Sequence, residues 1–360
     1  MKLSCITMLA TLLLTVPAAA QLQITPPATI PSATPEKQKP KPPAPAKKKE
    51  AAPPPKPSPS PKPAPSSKPT PTPTVIPAPP TDNSSADLVY GAYQRGQYKT
   101  ALDLANARAQ AGDPKAMTML GELYSNAMGI RRDYAKAAEW YKRAADAGDR
   151  EAMFALAMLR ISGRGGSVDK GEAVKLMASA AKLGEPKAAY NLALLYLDGQ
   201  TLPQDLKRSA ELLRLAADAG LPEAQYALAT FYKEGTGVAK DPERAVRLLQ
   251  AASLADNVDA EVEYAIAMFN GTGTPKNQPA AVALLRKASR QGSAIAQNRL
   301  AWVLINGVGT PMDKVEGFKW HLVAKTAGKG DPELDKQLSD LPAEDRAKAE
   351  AAAKKWLGSK

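Results

Sequence analysis

One cysteine and one histidine in 360 residues remove several chemistries at once. Cys5 stands inside an apolar N-terminal segment, so a chain that has lost this segment contains no thiol. Disulfides then contribute nothing to stability, and the fold has to rest on apolar packing. A lone imidazole without thiols excludes ordinary zinc ligation and Cys/His nucleophilic catalysis. Calcium loops need closely spaced acids with a glycine and a terminal Glu, and no stretch has that order. Long apolar runs are also missing: beyond the N-terminal segment none approaches the ~20 residues that span a bilayer.

Charge is scarce where the composition suggests plenty. The formal net charge is +12, but residues 1–80 hold ten Lys against two acids, so +10 − 2 = +8 belongs to that stretch alone. Lys and Arg in the remainder are balanced by acids, which argues against a nucleic-acid-binding face.

The N-terminus has the layout of a secretory signal over residues 1–20. Lys2 is followed by an apolar stretch from Ile6 to Val16 and by Ala18-Ala19-Ala20 before Gln21. Export to a periplasm is the expectation, with Cys5 misplaced for lipidation. Residues 21–82 are crowded with Pro-Lys, Ala-Pro and Thr-Pro pairs around Lys47-Lys48-Lys49. This composition predicts a disordered, extended spacer with weak attraction to anionic wall polymers. At roughly 3.1 Å per residue it would reach just under ~190 Å.

Beyond the spacer the chain repeats itself. Gly112, Gly148, Gly184, Gly220, Gly292 and Gly328 fall on a 36-residue grid, with Asp256 in the one missing place. The grid also aligns Ala144, Ala180, Ala216, Ala252, Ala288 and Ala324, so six units follow one another without insertion or deletion. Each unit carries two apolar patterns of helical period, such as Ala116, Leu120 and Tyr124, then Ala137, Tyr141 and Ala144. Pro114, Pro186 and Pro222 suit first turns, and Asp133 and Asp241 suit N-caps of second helices. An all-α solenoid of helix pairs follows. A degenerate pair over 83–111 and capping helices over 328–360 are expected to close its ends, with Trp356 anchoring the last helix.

The segments Ala188-Ala-Tyr-Asn-Leu-Ala-Leu-Leu-Tyr-Leu-Asp-Gly199 and Ala224-Gln-Tyr-Ala-Leu-Ala-Thr-Phe-Tyr-Lys-Glu-Gly235 closely resemble the Sel-one-like repeat (SLR) family, relatives of the tetratricopeptide solenoids. The resemblance covers residues 112–327. It implies a right-handed α-solenoid used for protein–protein contact, in bacteria often in the periplasm. Local departures are Arg160 in a tyrosine column, Thr201 where a turn glycine is usual, and Gly317 in an alanine column.

Candidate chemistry is thin. His321 falls in the column of Tyr141, Met177, Leu213, Leu249 and Leu285 and is expected to pack there. Ser179 and Lys182 have a Ser-x-x-Lys spacing but lack the companion elements of penicillin-recognising enzymes. No catalytic, cofactor or metal residues are expected, and the chain reads as non-enzymatic. Binding is expected on the first helices, which line the concave surface of tetratricopeptide-like arrays. The candidates are Phe154, Tyr190, Tyr226 and Trp302, as aromatic anchors for a protein or peptide. A peptidoglycan-associated role, structural or hydrolase-related, is the competing reading. A eukaryotic endoplasmic-reticulum adaptor is a third, from the sequons at Asn83 and Asn270.

Overall fold

The computed structural model describes residues 84–359; the signal-like segment 1–20 and the Pro/Lys-rich stretch 21–82 lie outside the described residues. Among the described residues there are sixteen α-helices and no strand. An opening pair, α1 (Ser84–Gln94) and α2 (Tyr98–Gln110), precedes six regular pairs. First helices of the pairs are α3 (Pro114–Asn126), α5 (Arg150–Ser162), α7 (Pro186–Asp198), α9 (Pro222–Glu234), α11 (Val258–Asn270) and α13 (Ala294–Asn306). Second helices are α4 (Tyr134–Asp146), α6 (Lys170–Lys182), α8 (Leu206–Asp218), α10 (Pro242–Leu254), α12 (Gln278–Arg290) and α14 (Lys314–Thr326). The chain closes with α15 (Pro332–Ser339) and α16 (Ala343–Gly358).

Caps set these boundaries. Asp133, Asp169, Asp205, Asp241, Asn277 and Asp313 each accept a backbone N–H from three residues on, satisfying one of the orphan donors that open a helix. Asp241 and Asn277 are followed directly by sequence that places proline in the first turn. Between first and second helix, the loop of one unit presses on the second helix of the unit before. A Cβ at Gly165 would strike the Tyr134 carbonyl, and one at Gly237 the Leu206 carbonyl, so only glycine fits. At the matching position, Thr201 is not left-handed: Ala127 and Asp256 are the only non-glycine described residues with positive φ. The third unit's loop therefore takes a different path. Asp256 keeps the left-handed turn of the glycine it replaces, at φ 58°, and its carboxylate lies 3.1 Å from Lys287 Nζ.

Small residues let the helices approach closely. Ala144, Ala180, Ala216, Ala252, Ala288 and Ala324 are all fully buried. Departures from the columns are compensated by their neighbours. Tyr141 replaces the aliphatic residues of its column, and Gly121 faces it where other units have alanine; a Cβ there would lie 2.5 Å from the ring. Gly317 likewise leaves room for Ile305, 2.6 Å from where its Cβ would be. Arg160, in the tyrosine column, pairs with Glu172 at 2.6 Å.

The C-terminal end is held by two contacts. Trp356 of α16 meets Trp320 of α14 edge-on, with ring centroids 5.1 Å apart. His321 packs in its column with no exposure, and its Nε2 donates to Asp335 of α15 at 2.9 Å. With the apolar faces of successive helices buried against one another, residues 82–360 group as one compact unit.

Two outcomes test this packing. Gly121→Ala is expected to destabilise by about 1–3 kcal/mol through overpacking against Tyr141. Adding Tyr141→Leu restores the Ala/Leu pair of other units and should recover most of the loss, as a denaturation double-mutant cycle will show. The second concerns Asp335, which Lys325 and then His321 hold below its ordinary value. A carboxylate that titrates lower when folded contributes above its unfolded pKa, and that contribution disappears as pH falls through the folded one. Asp335→Asn should therefore lower the melting midpoint clearly at about pH 7 and much less at about pH 3. An equal gap at both would show that the ion pairs do not carry the effect.

Candidate interaction surface

The first helices carry one stripe of side chains at 36-residue steps: Thr118, Phe154, Tyr190, Tyr226, Val262 and Asn298. One turn later a second stripe runs Glu122, Met158, Leu194, Thr230, Ile266 and Trp302. Val262 and Leu194 are buried, whereas Phe154, Tyr190, Tyr226 and Trp302 are half-buried. These four do not make one cluster. Phe154, Tyr190 and Tyr226 pack against the apolar core around Leu192, Leu213 and Leu228. Trp302 packs on the C-terminal core and lies edge-on to Phe269, with centroids 6.5 Å apart. Phe269 escaped the sequence reading, although it is the only aromatic in its column of Ser125, Ile161, Leu197, Lys233 and Ile305.

Each of the two tyrosines has at least one acid of the following unit near it. Burial, then Glu223, pushes the Tyr190 phenol above its ordinary value. Burial, then Glu263, Asp259 and Glu234, does the same to Tyr226. Asp259 is itself raised, by burial and then by Glu263. Both phenols thus stay protonated with carboxylates nearby, and Lys233 answers part of the charge at 2.9 Å from Glu263. The row extends to the opening pair, where Tyr93 Oη donates to Glu122 at 2.8 Å.

Other chemistry-bearing residues are structural ties. Glu261 is fully buried in α11 with Lys287 Nζ of α12 at 3.0 Å. In its column, Gln225 and Gln297 donate instead to the carbonyls of Ala217 and Ser289. Ser179 and Lys182 are exposed on α6, with no hydrogen bond between their side chains among the described residues. No group of three or more His, Asp, Glu or Cys side chains among the described residues could hold a metal. No helix among them is long and apolar enough to cross a membrane.

The Sel1 repeat model matches six consecutive segments, 114–149, 150–185, 186–221, 222–257, 258–293 and 294–329. Its units begin at the first helix, two residues later on the same 36-residue grid than the glycine-based division at 112. A solved Sel1 repeat protein from Oxalobacter formigenes is similar at 28% identity and a TM-score of 0.60, over 66% of this chain and 98% of that one. A protective antigen of uropathogenic Escherichia coli strains, displaying an SLR fold, shares the fold at 23% identity and a TM-score of 0.51, over 77% of this chain and 68% of that one. No curated protein matches. With six repeats matched end to end and the helix-pair array they require in place, the chain belongs to the Sel1-repeat family, whose arrays are scaffolds for protein–protein contact.

Proposed function

We propose that this chain is a non-enzymatic scaffold or regulator of the bacterial envelope that holds a partner protein or peptide on the concave, first-helix face of its array. The observation that carries the reading is the row Phe154, Tyr190 and Tyr226, half-exposed on three consecutive first helices and rooted in one core. Such side chains offer large apolar area with little rotamer entropy to lose, as binding anchors do. Trp302, braced by Phe269, is a second anchor further along the face. Carboxylates beside the tyrosines favour a partner that presents apolar side chains together with basic ones.

The envelope setting is inferred from the signal-like residues 1–20, a layout that suits cleavage and export to a periplasm. A second reading, attachment to peptidoglycan, is favoured by the +8 charge of residues 1–80. Sedimentation of the full chain with purified cell wall tests it, and wall binding that survives without residues 21–82 would count against the arm as its cause.

Affinity capture from envelope extract tests the first reading. The baits are residues 82–360 and the same fragment with Phe154→Ala, Tyr226→Ala and Trp302→Ala, both checked for helicity. Truncating anchors of this type costs about 2 kcal/mol or more each, so a partner held by the parent should be reduced at least about thirtyfold. Retention of the same proteins by both baits would remove the first-helix row from the account.

A further inference from the structure

A second surface lies on the loop edge of the array, at the junction of the first two units. There the loop 163–166 rests on the start of α4, since a Cβ at Gly165 would meet the Tyr134 carbonyl. The contact brings arginines from two different loops onto one ring. Arg132 Cζ lies 5.7 Å and Arg164 Cζ 5.3 Å from the centroid of Tyr134. Arg131 precedes Arg132 in the same loop, and all three arginines are exposed.

None of the three has a carboxylate partner among the described residues. Nearby cations do: Lys136 pairs with Asp133 at 3.9 Å, Lys142 with Asp146 at 2.8 Å, and Arg160 with Glu172 at 2.6 Å. Asp133, Asp146 and Glu172 are thus taken by other cations, and three exposed guanidinium groups at this junction are left for an incoming anion. Cation–π contacts tie two guanidinium groups to one ring while both arginines stay exposed. The array itself does not need this arrangement, because Lys170, Leu206, Pro242, Gln278 and Lys314 take the place of Tyr134 in the other units.

We propose that Arg131, Arg132 and Arg164, organised by Tyr134, form a docking site for an acidic peptide segment of a protein partner, separate from the first-helix row. Planar guanidinium forks match carboxylates bidentately. Asp169, in the same loop as Arg164, is taken up in capping α6, and a patch of only three cations suits a short acidic segment and opposes a long polyanion such as nucleic acid.

The test is fluorescence anisotropy of a labelled peptide of alternating Glu and Gly, with its Gln/Gly counterpart as the uncharged probe, on residues 82–360. Arg131→Gln, Arg132→Gln and Arg164→Gln together should weaken binding at least about tenfold. A control that removes the same charge elsewhere, Arg214→Gln, Lys240→Gln and Lys276→Gln, should change it by less than about twofold. Replacing the three arginines with lysine keeps the charge and should give an intermediate loss, which separates fork recognition from simple attraction. Helicity of every variant is checked alongside. Failure of the Glu peptide to bind, equal loss in the two Gln triples, equal binding of the uncharged probe, or displacement by inorganic phosphate at matched charge concentration would each overturn the assignment.

Discussion

The array depends on one close contact repeated along its length, in every unit but the third: the loop after the first helix lies against the start of the preceding second helix. Gly165, Gly237, Gly273 and Gly309 make this approach against Tyr134, Leu206, Pro242 and Gln278 with left-handed backbone and no side chain in the way. With that spacing fixed, the buried alanine columns bring neighbouring helices together, and each unit covers the apolar face its neighbour cannot cover alone. Stacking in this register also places Tyr190 beside Glu223 and Tyr226 beside Glu263, so the geometry of the candidate surface follows from the loop contact.

Because stability comes from the grid columns and from nearest-neighbour contacts, first-helix surface positions are free to vary without harming the fold. Changes inside the columns are matched locally. Gly121 gives way to Tyr141, Gly317 to Ile305, and Ser209 answers its polarity by donating to the Ala193 carbonyl at 2.8 Å. Phe154 and Trp302 are rooted in the two cores but keep part of each ring exposed, so the same side chains serve packing and leave apolar area on the first-helix face.

The helix pairs were legible because a 36-residue period with no slips overrides the ambiguity of short apolar runs. Trp356 could be read as an anchor because it is a lone aromatic in a helix of Ala, Lys and Glu, and Trp320 receives it. Contacts between side chains of different helices were not legible. His321 was assigned to its packing column, but nothing in the spacing announced Asp335, fourteen residues on and in another helix. The period puts the aromatic stripe on the first helices, while its division into a Phe154–Tyr190–Tyr226 group and a Trp302–Phe269 group depends on which core each ring enters. The junction of Arg132, Tyr134 and Arg164 likewise exists only after one unit's loop has folded onto the helix before it.

The central claim, that the first-helix face holds a partner, is tested most directly by hydrogen exchange on the full chain with and without a captured protein. The account expects added protection in α5, α7 and α9, which carry Phe154, Tyr190 and Tyr226, and little change in α6, α8 and α10. Protection confined to those second helices would contradict it.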